Sequence, residues 1–139
     1  LAGYYRWAND NKVRTFTIDT LKDNVEIAQI VLASKKTAAI YVGGGVPKNF
    51  IQDTVICAEM LGRPVPMHRY AIQVTVADVR DGACSSSTLK EASSWGKVDT
   101  TWEQMVYAEA TLVVPLIASD LYHRKEWKKR KRREWAKRF

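Results

Sequence analysis

The chain has 139 residues, a formal net charge of +7, and 46% hydrophobic and 10% aromatic side chains. That is the size of one compact domain with enough apolar material for a core, which excludes a wholly disordered chain. No apolar run approaches the ~20 residues of a membrane-spanning helix. The basic excess is local: of 22 Lys and Arg, ten fall in residues 123–139 beside two Glu, so the preceding 122 residues are close to neutral.

Leu1 to Ala8 reads as a helix and lacks the charged and apolar regions of a signal peptide, so the sequence is expected to be a piece of a longer chain whose upstream half is missing. Asp19 to Ser34 places Leu21, Val25, Ala28 and Leu32 on one helical face. Thr37 to Val42 has the β-branched and aromatic bias of a buried strand. Glycines 43 to 45 follow, and Pro47 suits the first turn of a helix carrying Phe50, Ile51, Val55 and Ala58 that stops near Gly62. Tyr70 to Val76 is a second strand, Ala77 to Thr88 a polar loop, and Thr88 with Glu91 a capping box for a short helix. Gln104 to Ala108 is a third strand, and a helix from about Thr111 runs toward the basic tail.

Strand and helix alternate with short links, which predicts an α/β fold: a Rossmann-like open, mainly parallel sheet with helices on both faces. Residues 1–122 form that unit and residues 123–139 a basic helical tail. Such sheets bind ligands beyond the carboxyl ends of their strands, and Gly43 to Lys48, Ala77 to Thr88 and Glu109 all lie there.

The candidate chemistry sits in three stretches. GGGVPK between strand and helix lets backbone amides approach a phosphate or cofactor ring closely, or is simply a turn needing positive φ; it matches neither a P-loop nor GxGxxG. Asp81-Gly82 with Ser85, Ser86 and Ser87 could bind ribose hydroxyls or phosphate, or could be a solvated turn with a helix cap. In Ser94-Trp95-Gly96-Lys97, an extended backbone would put Trp95 and Lys97 on one wall, where an indole shielding the amine from water favours its free, nucleophilic form. A surface lysine beside a core tryptophan fits the same four residues. His68 and His123 lack a carboxylate cluster and read as structural or surface residues, Cys57 and Cys84 lack zinc-like spacing, and no metal site is expected. The scarcity of cysteine fits a reducing cytoplasm.

Taken together, GGGVPKNFIQDT, YAIQVT, DGACSSSTLKEASSWGKVD and VYAEATLVVPLI resemble the deoxyhypusine synthase family in order and spacing over about residues 15 to 120. The resemblance implies a cytoplasmic homotetramer with sites built between paired subunits, and an NAD-dependent aminobutyl transfer. Spermidine is oxidised and cleaved, its four-carbon piece is held as an imine on a lysine, and that piece passes to a lysine of the hypusine-bearing translation factor. By motif position the carrying lysine is Lys97, with Trp95, Glu91 and Asn49 binding the polyamine and Gly43, Gly44, Asp81, Ser85 and Glu109 binding the NAD cofactor. Further contacts would come from the upstream half.

The chain departs from eukaryotic members, which carry His at the Asn49 position, Asp at Cys84, Tyr at Gln73 and Asp at Glu109. GGGVPKNF resembles the prokaryotic branch, which includes enzymes that form homospermidine from putrescine. A catalytically silent subunit of a hetero-oligomer is the alternative of another class. Helical spacing in the tail would put Trp127 and Trp135 on one face amid Arg and Lys, for docking on a neighbouring subunit, for RNA or an acidic protein surface, or for a membrane surface.

Overall fold

The computed structural model describes residues 1–131 and 133–137, apart from the side chain of Ala136. In chain order the elements are α1 (Ala2–Asp10), α2 (Thr20–Leu32), β1 (Ala38–Val42), α3 (Val46–Met60), β2 (Tyr70–Thr75), α4 (Leu89–Ser94), β3 (Glu103–Tyr107) and α5 (Ala110–Arg124). The strands form a parallel sheet in the order β1-β2-β3, in which Tyr41 pairs with Gln73 and Gln73 with Met105. This is the open parallel α/β arrangement that the alternation of elements implies.

One face of the sheet holds the core. Ala39, Tyr41 and Ala71 meet Leu89 and Ala92 of α4 and Val98, with Ile51 of α3 and Met105 packed against them. A second cluster joins α2 to α3 through Ala28, Val31 and Ala58. The predicted stripe on α2 is therefore only partly the buried one, since Leu21 and Val25 are exposed. The helices meet where small alanines at 28 and 58 allow close approach, and the first turns of α2 lie beyond that contact. β1 is likewise half covered: Ala39 and Tyr41 are buried, whereas Ile40 is 74% and Val42 59% exposed. A near-continuous apolar strand suits burial on both faces, and within this chain α3 and α4 cover one.

Thr88 caps α4 as expected, accepting from the Glu91 amide at 3.0 Å, and Asp19 caps α2, accepting from the Lys22 amide at 3.0 Å. Gly45 enters α3 with φ of 86°, and Pro47 occupies its first turn. The tail differs from expectation. Lys125 takes a left-handed conformation (φ 55°, ψ 17°) that ends α5. Separate short 3-10 turns follow at Glu126–Lys129 and Trp135–Lys137, so Trp127 and Trp135 share no helical face. Lys128 instead lies 5.6 Å from the Trp127 ring centroid and Arg133 5.7 Å from that of Trp135.

His68 is structural. Its Nε2–H donates to the Ile51 carbonyl at 3.1 Å, and Nδ1 accepts from the Thr37 hydroxyl at 2.8 Å. Burial pushes its pKa below the ordinary 6.5. Between that lowered value and 6.5 the unfolded chain binds the extra proton, so stability rises with pH across this window and is lost as pH falls. Urea midpoints at about pH 5 and pH 7.5 should show this slope in the wild type and a shallower one in His68→Asn. An unchanged slope would remove His68 as its source.

Candidate functional site

Two clefts open beyond the carboxyl ends of the strands. The first, of about 290 Å³, is lined by Gly43, Gly44, Val74 to Ala77, Ser85 and Ala108 to Ala110. The Gly43 amide prolongs the sheet, donating to the Val74 carbonyl at 2.8 Å. Gly44 is there for space: a Cβ on it would lie 2.5 Å from the Ser85 Cα. Buried Gln73 holds both walls, its Nε2 donating to the carbonyls of Gly43 at 3.0 Å and Ser85 at 3.2 Å, while its buried Oε1 has no hydrogen-bond partner among the described residues. Glu109 caps α5, accepting from the Thr111 amide at 2.7 Å and from the Thr111 hydroxyl. That hydroxyl, aided by backbone amides, holds its carboxyl below the usual carboxylate range.

Four of the five residues expected to bind the cofactor thus line one cavity. Asp81 does not join them. Its carboxylate accepts from the Ala83 amide at 3.1 Å and its carbonyl from the Ser86 hydroxyl, so it shapes the loop from within.

The second cleft, of about 260 Å³, is lined by Asn49, Gln52, Gly82 to Cys84, Ser87, Glu91, Ala92, Trp95 and Lys97. It brings Lys97, Trp95, Glu91 and Asn49 together, by a different backbone route from the expected one. The SWGK stretch is a helix end: Gly96 has φ of 72°, its amide donates to Ser93, and the Lys97 amide donates to the Ala92 carbonyl at 3.1 Å. The Lys97 carbonyl accepts from the His68 amide at 3.1 Å, which fixes the residue from both sides. Trp95 lines the same cleft and is 68% exposed. A carboxylate holds the Lys97 amine: Nζ lies 2.6 Å from Asp53 Oδ1, with side chains 20% and 47% exposed.

Sequence reasoning missed Asp53 and Lys48. For Asp53 the signal was present, since Asn49, Gln52 and Asp53 stand at i, i+3 and i+4 on α3 and share a face. For Lys48 there was none. Its side chain is buried, and Nζ donates to the Ser87 hydroxyl at 2.8 Å, the Ser87 carbonyl and the Cys84 carbonyl at 3.4 Å. Desolvation pulls its pKa below the ordinary lysine value, opposed by the nearby Glu91 and Cys84. Lys48 is the tie that holds the 84–87 loop against α3.

The sequence profile of the deoxyhypusine synthase family matches residues 2–121. The chain belongs to the deoxyhypusine synthase family. A deoxyhypusine synthase-like protein of Coxiella burnetii strain RSA 493 is 62% identical over 129 residues, covering 93% of this chain and 37% of the relative. One from Caulobacter vibrioides is 65% identical over 122 residues (88% and 33%), and a probable deoxyhypusine synthase 2 of Methanosarcina mazei is 46% identical over 114 (81% and 33%). The chain spans about a third of the length of the curated relatives it matches.

Within this family member both clefts fall inside the matched residues and the basic tail outside them. Arg133, Glu134 and Trp135 face Ala33 to Lys36 across a separate cavity of about 650 Å³ that shares no residue with either cleft. Among the described residues no helix is long and apolar enough to cross a membrane, and no group of three or more His, Cys, Asp or Glu could hold a metal ion.

Proposed function

We propose that this chain carries the amine-transfer site of a deoxyhypusine synthase-type aminobutyltransferase acting on spermidine. The observation that supports it best is the Lys97 amine, paired with Asp53 and opening into a cleft with Glu91, Trp95 and Asn49. A polycation suits that cleft because carboxylates bind ammonium groups through charge-assisted hydrogen bonds. Glu91 binds one ammonium group, and exposed Trp95 offers its ring to the methylenes. Lys97 attacks the oxidised carbon of the polyamine, expels diaminopropane and holds the four-carbon piece as an imine until an acceptor lysine of the translation factor takes it.

The first cleft fits the sugar portion of NAD. Its lining has no cationic side chain, Gly44 leaves room, and the ionised Glu109 suits hydroxyl donors. Gly43, Gly44, Ser85 and Glu109 would hold the cofactor, with Asp81 acting through the loop. When bound, NAD supplies the hydride acceptor. In this reading the enzyme is a cytoplasmic homotetramer whose paired subunits complete each site.

Cys84 favours a second reading, transfer to putrescine in homospermidine formation. It lines the substrate cleft, and a thiol there does not bind an ammonium group as a carboxylate does. Product analysis with putrescine alone, against spermidine plus translation factor, separates the two. The shared chemistry is tested by adding borohydride to full-length protein with NAD and spermidine. The expected result is a reduced aminobutyl adduct on Lys97, and its absence would sink both.

A further inference from the structure

The reaction requires Lys97 to enter as a free amine, yet in the cleft it stands as the cationic half of an ion pair. We infer that Asp53 is the group that takes the Lys97 proton and returns it to the departing amine, a role resting on the reading of Lys97 as the carrying residue.

Asp53 is the carboxylate paired with the amine. Other titratable groups at or beside the cleft include Glu91 from α4 and Cys84 from the loop, which line it, Lys48 from α3, buried Tyr41 from β1 beside Gln52, and His68, whose backbone amide meets the Lys97 carbonyl. Lys48 is a cation committed to Ser87 and Cys84. The imidazole of His68 is occupied by Thr37 and Ile51. Asn49 lines the cleft but cannot accept a proton at its amide under these conditions. Asp53 Oδ1, at 2.6 Å, is within proton-transfer distance of Nζ. Its side chain is 47% exposed, so the carboxylate can exchange protons with water as well as with the lysine.

The step balances. Asp53 accepts a proton from the Lys97 ammonium, and the freed lone pair forms a C–N bond to the carbon of the protonated polyamine imine. A proton on the lysine nitrogen moves to the departing nitrogen, and the old C–N bond breaks. The released amine takes the proton held by Asp53. Two positive charges enter, on the lysine and the imine, and two leave, on the new lysine imine and the departing ammonium. Asp53 is again a carboxylate.

The test uses full-length protein and a short aldehyde, which forms an imine with a lysine without any cofactor. Butanal with cyanoborohydride traps the imine, and peptide mass spectrometry gives the rate at Lys97. At about pH 7 Asp53→Asn should react on the order of 100- to 10,000-fold more slowly than the wild type. The gap should close as pH approaches the ~10.4 at which lysine amines in water are free without help. A merely structural role would not produce that convergence. Asp53→Glu keeps a carboxylate and should restore most of the rate, with folding of all variants checked by circular dichroism. Should Asp53→Asn react as fast as the wild type at pH 7, or faster, Asp53 only restrains the ammonium and the inference falls alone. A Glu variant as slow as the Asn variant also overturns it. A wild type that forms no adduct at any pH overturns both this inference and the assignment of Lys97.

Discussion

Full-length protein carrying Lys97→Ala should lose aminobutyl transfer by on the order of 10⁴-fold or more, because a covalent step with no substitute nucleophile is removed rather than slowed. The fold should survive. The partner left behind, Asp53, is 47% exposed and stays hydrated, so loss of the pair costs on the order of 1 kcal/mol. Dinucleotide affinity should also survive, since Lys97 lines the second cleft and not the first. Steady-state transfer assays, a urea melt and an NAD titration on the same preparation separate these effects. An assembled enzyme that transfers as well with the Lys97→Ala substitution as without it would make this chain a silent structural subunit.

Gly44→Ala is expected to damage the other cleft. The added methyl would sit 2.5 Å from the Cα and 2.8 Å from the Cβ of Ser85, and the nearest atom is backbone, which cannot rotate away. Overpacking of this kind costs about 1–3 kcal/mol. The displaced Ser85 would carry its carbonyl off Gln73 Nε2, leaving a buried donor short of a partner. We expect a lower urea midpoint and NAD affinity weakened at least ~10-fold, equivalent to ~1.4 kcal/mol. Gly45 makes the control. It has positive φ (86°), no atom among the described residues within 4 Å of a Cβ and no place in the cleft lining, so alanine there strains the backbone without filling the cavity. Wild-type stability and NAD affinity in Gly44→Ala would remove the close approach as a determinant.

Much of this was legible in the sequence, for reasons that differ by element. β1 and β2 follow from apolar runs, with Gly43 after the first and Pro64 and Pro66 before the second, a local signal that survives folding. The glycine turn, the Asp19 and Thr88 caps and the stop after Met60 are local as well. Lys97, Trp95, Glu91 and Asn49 meet because α3 and the capped α4 deliver them to one cleft, but SWGK adopts a helix end rather than an extended strand. Gly96 was the clue, since a glycine directly after a short capped helix marks its left-handed exit. Asp53 escaped because its partner lies 44 positions away in sequence, at Lys97. The burial of Lys48 depends on the loop that folds over it, which no local pattern announces. The tail misled by composition: Lys, Arg, Glu and Trp tolerate a helix, whereas the left-handed Lys125 ends α5.

The span from Cys84 to Ser87 contributes to the linings of both clefts. Ser85 faces the glycine chamber, while Cys84 and Ser87 face the lysine chamber. Lys48 anchors it from one side and Gln73 from the other. Whatever stiffens such a wall for one occupant lowers the ordering cost for the other, and thermodynamic reciprocity makes the benefit mutual. Under the proposed reading, nucleotide and polyamine would then each tighten the hold on the other beyond what their direct contact supplies.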